Sequence, residues 1–188
     1  GIDLAAEAAG FETVCQCEWA DYPTAVLEKR WPHVPRFRDI TTLLKDAEGL
    51  RDAVDAITAS LADVSFDLVL SPESRGFIFG MPVAYNMGKG FVPVRKAGKL
   101  PAETISKEYE LEYGKATIEI HKDAIKPGQK VVIVDDLMAT GGTAKAIMEM
   151  VEEMGAEVVA SAFLIELDFL NGRKALPDCR VEAVIHYE

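Results

Sequence analysis

Apolar residues along this chain follow two different spacings, one typical of helices and one typical of buried strands. Apolar side chains three or four residues apart predict helices over residues 50–62, 76–87 and 143–154. Short apolar runs bounded by polar or turn residues predict strands over residues 66–70, 91–95, 130–134, 157–165 and 181–186. Because strands and helices alternate, we expect an α/β domain with a mainly parallel sheet flanked by helices.

One segment has a third pattern, in which polar and apolar side chains alternate. Residues 104–113 and 116–121 alternate on either side of a turn at Gly114, as a hairpin or an excursion from the main sheet would. Residues 108–114 carry three carboxylates and two tyrosines. They fit either an exposed hairpin or a lid that shields a reactive intermediate from water, and the pattern does not decide between the two.

Length and composition limit the possible classes of protein. The chain has 188 residues, of which 49% are hydrophobic, enough for one compact domain with a sizeable core. Its net charge of −11 leaves few clustered cations, which argues against a nucleic-acid partner. Because no apolar run reaches membrane-spanning length and no signal peptide is recognisable, we expect no membrane partner.

The three cysteines, Cys15, Cys17 and Cys179, cannot all pair with one another. We interpret them as reduced thiols, which predicts a cytoplasmic location. The spacing of Cys15 and Cys17 is similar to that of zinc ligands, but zinc sites usually contain a second such pair or nearby histidines. We therefore expect both to be strand-packed cysteines rather than metal ligands.

The segment 131–143, VVIVDDLMATGGT, joins a buried strand to the start of a helix. Gly141 and Gly142 allow the backbone to close around an anion, because no side chain intervenes. The helix N-terminus adds unpaired N–H groups and a positive dipole end, and Thr140 and Thr143 add hydroxyl donors. These features predict a site for one phosphate group. The lysine of a nucleoside-triphosphate P-loop is missing.

Two adjacent carboxylates, Asp135 and Asp136, precede this loop. Because these carboxylates repel an anion, a phosphate alone does not explain them, and we expect the ligand to carry a second group that they bind. Vicinal ribose hydroxyls would supply hydrogen-bond donors, and a metal would offset the ligand's charge. The alternative is an ordinary strand end with Thr143 as the helix cap, which does not explain why all these features occur together.

Cations follow two other predicted strands. Arg75 lies between a strand and a helix, where a guanidinium can bind phosphate through two hydrogen bonds. Arg95, Lys96 and Lys99 lie on one strand-end loop of an otherwise acidic chain. Both loops could be solvated surface, but together with the phosphate loop they predict pyrophosphate ligands.

These segments resemble the adenine phosphoribosyltransferase family over residues 37–188. The matching motifs are residues 37–41 (FRDIT), 73–77 (ESRGF), 94–101 (VRKAGKLP), 111–114 (LEYG) and 134–143 (VDDLMATGGT). The resemblance implies the type I phosphoribosyltransferase fold, with a small hood or lid region. It also implies a Mg²⁺-dependent cytoplasmic homodimer that converts phosphoribosyl pyrophosphate and adenine to AMP and pyrophosphate.

The resemblance further implies a role for each motif. The 5′-phosphate would be held by Ala139, Thr140, Gly141, Gly142 and Thr143, and the ribose hydroxyls by Asp135 and Asp136. Pyrophosphate would be held by Glu73, Ser74, Arg75, Arg95 and Lys99, with a cis peptide between Glu73 and Ser74 and with the Arg95 loop reaching across the dimer. The base would be bound by Arg36, Phe37 and Arg38. Glu112 would be the catalytic residue that handles the proton of the base, and Tyr113 would lie on the lid. Mg²⁺ would be held mainly by substrate phosphates and waters, without a protein ligand.

Residues 1–36 differ from this family and are interpreted as a separate leader, followed by the phosphoribosyltransferase domain at 37–188. The leader resembles the start of a cytosine DNA methyltransferase, in which Glu18 would bind the ribose of S-adenosylmethionine. The glycine-rich loop of that family is reduced to Gly1, and no Pro-Cys nucleophile motif follows. We therefore expect no methyl transfer.

Two alternatives to adenine transfer remain at this point. The first is the same reaction with hypoxanthine, guanine or xanthine. The second is a regulator that binds phosphoribosyl pyrophosphate without catalysis, against which Glu112 argues.

Overall fold

The computed structural model describes residues 40–110 and 115–187. Residues 53–186 form one compact unit, and the described residues 40–52 and 187 belong to a second. The proposed leader, with Cys15 and Cys17, lies outside the described residues, as does its boundary with the following domain. In the described ranges, no helix is long and apolar enough to cross a membrane.

Helices and strands alternate along the described chain. The helices are Ile40–Leu43 (α1), Ala47–Ser60 (α2), Gly76–Asn86 (α3) and Gly142–Glu153 (α4). The strands are Leu68–Pro72 (β1), Gly90–Lys96 (β2), Thr104–Glu110 (β3), Lys115–His121 (β4), Lys130–Met138 (β5), Glu157–Leu167 (β6) and Arg180–Tyr187 (β7). Two short 3₁₀ turns, Asp168–Leu170 and Gly172–Ala175, lie between β6 and β7.

The strands form one sheet, which within the described residues has seven strands in the order β3-β4-β2-β1-β5-β6-β7. The central strands β2, β1, β5 and β6 are parallel, which confirms the predicted sheet. The alternating segment forms the antiparallel hairpin β3–β4. This hairpin extends the main sheet, because β4 also pairs with β2 at Arg95 and Lys96.

The core lies on both faces of the central strands. Four consecutive residues of β5, at positions 131–134, are fully buried. Successive side chains of a strand point to opposite faces, so both faces must be covered. Helix α3 packs on β1, β2 and β5, while α4 packs on β3 and β6. The buried residues Ile147, Met150 and Val151 form the inner side of α4.

The end of β5 differs from the prediction. The sequence predicted a strand that stops at Val134 and a helix that starts at Thr143. In the structure β5 continues through the two aspartates to Met138, because Leu137 and Met138 pair with residues 165 and 166 of β6. The loop between β5 and α4 is therefore only residues 139–141.

The start of α2 also differs from the prediction, which began this helix at Leu50. The helix begins at Ala47, after Asp46. The side-chain oxygen Oδ1 of Asp46 accepts hydrogen bonds from the backbone N–H groups of Glu48 at 3.0 Å and Gly49 at 3.4 Å. This satisfies donors that a helix start leaves unpaired.

Candidate functional site

A cleft of about 400 Å³ lies where the strands β1 and β5 end. Ligands of parallel α/β sheets bind beyond the carboxyl ends of the strands, and this volume is in the range of small-molecule sites. The cleft is lined by residues of both strand ends, the start of α4 and the hairpin: Pro72, Glu73, Ser74, Arg75, Lys96, Tyr109, Ala116, Ile118, Asp135, Asp136, Leu137 and Thr143. Many of the predicted phosphate, ribose and pyrophosphate ligands therefore line one cleft.

The predicted phosphate loop ends at the N-terminus of α4. Gly141 is the residue before the first helical turn, with a left-handed φ of 77°. Within the described residues, no side chain caps this helix start by a hydrogen bond. The alternative role of Thr143 as the cap is therefore wrong, since its Oγ1 instead donates to the Tyr109 hydroxyl at 3.3 Å. An uncapped helix start presents backbone N–H groups to an anion.

The two aspartates of β5 are held close together at low exposure. Asp136 is only 4% exposed, and its Oδ2 lies 2.6 Å from Nε of Arg75. The backbone N–H of Asp136 donates to Oδ1 of Asp135 at 2.8 Å. Burial, followed by the charge of Asp136, raises the pKa of Asp135 well above its ordinary value. The pair thus concentrates negative charge at a place where charge is costly.

Gly76 allows the start of α3 to approach this pair closely. A Cβ atom at Gly76 would lie 2.8 Å from Oδ1 of Asp135 and 2.9 Å from Cδ of Pro72. A side chain at this position would therefore collide with the carboxylate. The glycine of the ESRGF motif is explained by this contact.

A cluster of charges surrounds Glu73 at the other side of the cleft. Its Oε2 accepts a hydrogen bond from Nε of Arg95 at 2.9 Å, and its Oε1 pairs with Nζ of Lys99. The backbone N–H of Lys96 donates to the same carboxylate at 3.1 Å. Lys99 first, and then Arg95, lower the pKa of Glu73 to about 2. The predicted pyrophosphate residues Glu73, Arg95 and Lys99 are thus brought together.

The peptide bond between Glu73 and Ser74 is cis, as the resemblance implies. The backbone N–H of Glu73 donates to the carbonyl oxygen of Val94 at 2.8 Å, which attaches this loop to β2. Arg75 is separate from the Glu73 cluster in this structure, because its guanidinium is directed to Asp136.

Tyr109 is a cleft residue that the predicted site did not include. Strand alternation places its side chain on the same face as residues 105 and 107, but alternation does not tell which face meets the phosphate loop. Lys107 also contacts α4, through Glu149 at 3.0 Å and Glu153 at 2.9 Å. These contacts hold the hairpin against the helix that follows the phosphate loop.

Several predicted residues lie outside the described residues and stay predictions. They are the base-binding residues Arg36, Phe37 and Arg38, the catalytic Glu112 and the lid residue Tyr113.

Comparisons with known proteins give one family. A family model described as the phosphoribosyl transferase domain matches residues 41–181. An adenine phosphoribosyltransferase of Agathobacter rectalis is 60% identical over 152 residues, which are 81% of this chain and 87% of that protein. Another adenine phosphoribosyltransferase, of Lachnoclostridium phytofermentans, is 56% identical over 80% of this chain and 87% of that protein.

Solved structures agree with these relatives. The adenine phosphoribosyltransferase of Thermoanaerobacter pseudethanolicus is 54% identical with a TM-score of 0.78, covering 80% of this chain and 88% of that one. The enzyme of Saccharomyces cerevisiae, solved with adenine and an imino-altritol bisphosphate, is 42% identical with a TM-score of 0.72, covering 78% and 85%.

Replacing Asp135 by asparagine should stabilise the ligand-free protein at neutral pH. The pKa of Asp135 is higher in the folded than in the unfolded chain, so its ionised form destabilises the fold as pH rises through the folded pKa. We expect a higher free energy of unfolding than that of the wild-type protein at neutral pH, and this gain should disappear toward about pH 4. Thermal denaturation across this range measures it.

Asp123→Asn is the matched control, because it removes the same charge from an exposed position. It should show no such pH-dependent gain. A melting temperature of Asp135→Asn that equals the wild-type value at every pH would contradict the proposed cost of ionising Asp135.

Proposed function

The chain belongs to the adenine phosphoribosyltransferase family, and we propose that it transfers the 5-phosphoribosyl group of phosphoribosyl pyrophosphate to adenine, giving AMP and pyrophosphate. One observation carries the proposal. A single cleft combines the uncapped start of α4, the carboxylates of Asp135 and Asp136, and the Glu73–Ser74 loop. A phosphate, two sugar hydroxyls and a second anionic group would each find chemically matched partners there.

The 5′-phosphate is assigned to the loop that precedes α4. Its oxygens would accept hydrogen bonds from the backbone of residues 139–143 and from the hydroxyls of Thr140 and Thr143. The positive end of the helix dipole would stabilise the anion. The 2′- and 3′-hydroxyls of the ribose would donate to Asp135 and Asp136, which lie on β5 and are separated from the loop by two residues.

The pyrophosphate is assigned to the other end of the cleft. Arg95 and Lys99 share the carboxylate of Glu73, and Arg75 is paired with Asp136. A pyrophosphate offers more anionic oxygens than these carboxylates do, so the cations would exchange partners when it binds. Ser74 would contribute through its peptide group. That the Arg95 loop reaches a second subunit remains part of the proposal.

Mg²⁺ is part of the proposed reaction. The carboxylate oxygens of the cleft are hard donors of the kind that Mg²⁺ prefers, but Asp136 is already paired with Arg75. The ion would therefore be held mainly by substrate phosphates and waters. When bound, it would offset the charge of the departing pyrophosphate. A second acidic group, Glu166 with Asp168 and His186, does not line this cleft and is not assigned to the reaction.

The chemistry is a displacement at the anomeric carbon through an oxocarbenium-like transition state. Arg75, Arg95 and Lys99 would stabilise the leaving group. Phe37 would stack on adenine, with Arg36 and Arg38 beside the ring, and Glu112 would handle the proton of the base. Tyr113 would belong to the lid that excludes water. The FRDIT and LEYG motifs support these last assignments.

A homodimer is also part of the proposal, and the exposed face of α3 supports it. Met81 is 51% exposed and Tyr85 is 80% exposed, one helical turn apart on this helix. Large exposed apolar side chains in one patch are typical of interfaces. The proposed cytoplasmic location rests on the interpretation of the cysteines alone, and no methyl transfer is proposed for residues 1–36.

Substituting the exposed face of α3 should dissociate the proposed dimer. The double variant Met81→Lys/Tyr85→Lys is expected to sediment as a monomer where the wild-type protein sediments as a dimer. Phe169→Lys, at an exposed apolar residue outside α3, is the control and should leave the dimer intact. A wild-type monomer, or a dimeric double variant, would contradict the proposed interface.

Steady-state assays with phosphoribosyl pyrophosphate, Mg²⁺ and each purine base test the proposed substrate. Adenine should give AMP with a kcat/KM at least about a hundredfold above that of hypoxanthine, guanine or xanthine. These bases have a 6-oxo group, a hydrogen-bond acceptor, where adenine has a 6-amino donor. The double variant Asp135→Asn/Asp136→Asn should be inactive, which excludes a contaminating enzyme. A higher kcat/KM with another purine would replace adenine as the substrate. If no base gives a product, the result would favour the alternative of a regulator that binds phosphoribosyl pyrophosphate without catalysis.

Replacing Glu112 by alanine should lower kcat by about 10²- to 10⁴-fold, the usual contribution of a general acid or base. The affinity for phosphoribosyl pyrophosphate, measured by calorimetry, should change little. Glu108→Ala is the matched control, because this exposed hairpin glutamate is paired with Lys115 at 2.6 Å. Its kcat should stay close to the wild-type value. An unchanged kcat in Glu112→Ala would show that the catalytic assignment is wrong.

A further inference from the structure

The 3₁₀ turn Gly172–Ala175 lies directly against the phosphate loop. A Cβ atom at Gly172 would lie 2.4 Å from the carbonyl oxygen of Ala139 and 3.3 Å from the backbone nitrogen of Gly141. In the other direction, a Cβ atom at Gly141 would lie 2.5 Å from the carbonyl oxygen of Gly172. No side chain fits between them, so backbone packs on backbone. The position of the turn therefore limits the positions that the loop can take.

Arg173 fixes this turn to the ends of two strands. Its Nε lies 2.8 Å and its Nη2 2.7 Å from the two carboxylate oxygens of Glu166. Its Nη1 donates to the carbonyl oxygen of Val181 at 3.0 Å. Glu166 is only 2% exposed, so its carboxylate depends on this guanidinium for compensation. A bidentate arginine has a defined orientation, which a lysine would not give.

Glu166, the ion-pair partner of Arg173, lies beside the strand end from which the phosphate loop starts. Glu166 pairs in register with Met138, the last residue of β5. Leu176, directly after the turn, is buried in the same hydrophobic cluster as Met138. The strand end, the carboxylate and the turn therefore form one connected support beneath residues 139–141.

We propose that Arg173 is a positioning residue for the 5′-phosphate site. Through Glu166 and Gly172 it holds the backbone of residues 139–141 in the one arrangement that directs the first N–H groups of α4 to the phosphate. Arg173 does not line the cleft and acts without touching the donor. The inference rests on the proposed function, because it takes the start of α4 as the 5′-phosphate site.

Arg180 offers a matched comparison within the same unit. It also pairs with two carboxylate groups, Asp63 at 2.8 Å and Glu182 at 2.7 Å. Its Nη2 donates to the carbonyl oxygen of Ser60 at 3.2 Å. Removing Arg180 therefore deletes a similar number of ion pairs, although its carboxylate partners are more exposed than Glu166, and it leaves the support of the phosphate loop in place. A merely structural role of Arg173 would give the two variants the same ligand affinities.

Calorimetric titrations with ribose 5-phosphate and with inorganic pyrophosphate separate the two ends of the cleft. Arg173→Ala should weaken binding of ribose 5-phosphate by about tenfold or more, because small displacements of binding groups have large effects. Its affinity for pyrophosphate should stay unchanged. Arg173→Lys should lie between wild type and alanine, and Arg180→Ala should bind both ligands as wild type does.

Several results would overturn the inference. They are an unchanged affinity of Arg173→Ala for ribose 5-phosphate, an equal loss for both ligands, and the same loss in Arg180→Ala. If Arg173→Ala fails to fold, Arg173→Lys decides by the same comparison, and its failure to fold would assign the pair to general stability and overturn the proposal. Wild-type protein that binds neither ligand would overturn the proposed function itself, and this inference with it.

Discussion

Two adjacent carboxylates that are held at low exposure, and that also repel each other, govern the rest of the site. Asp135 and Asp136 lie near the end of β5, which continues for two more residues, and neither is well solvated. Arg75 compensates one of them, while the pKa of the other rises. The ligand-free protein gains nothing from this arrangement, which a ligand with paired hydroxyl groups and a cationic partner would stabilise. Sites that break the rules of stability in this way are typically functional.

The cations of the cleft are balanced against its carboxylates before any ligand binds. Glu73 is shared by Arg95 and Lys99, and Asp136 is paired with Arg75. The cations of these pairs are partly exposed, whereas the carboxylates have low exposure, so a carboxylate that gives up its cation needs another donor in its place. The chain as a whole carries a net charge of −11. Local pairing therefore keeps the cations positioned in the ligand-free protein, and in the proposed function an anionic substrate would replace the carboxylates.

Sequence patterns predicted the sheet because buried parallel strands are almost continuously apolar. They failed at the end of β5, since Asp135 and Asp136 resemble a strand end, whereas pairing with a distant strand keeps this segment extended. Tyr109 was missed because alternation defines two faces without saying what each one meets. Gly172 was missed because a contact between two backbones has no periodic signal. Local chemistry was thus predictable, and contacts between segments far apart in sequence were not.

In the proposed function, one ribose phosphate binds across the two aspartates and the start of α4. A crystal structure of the protein with ribose 5-phosphate would show whether it does. The phosphate oxygens should lie within hydrogen-bonding distance of the backbone N–H groups of residues 140–143, and the 2′- and 3′-hydroxyls should donate to Asp135 and Asp136. A phosphate bound instead at Arg95 and Lys99, or sugar hydroxyls distant from both aspartates, would contradict the claim.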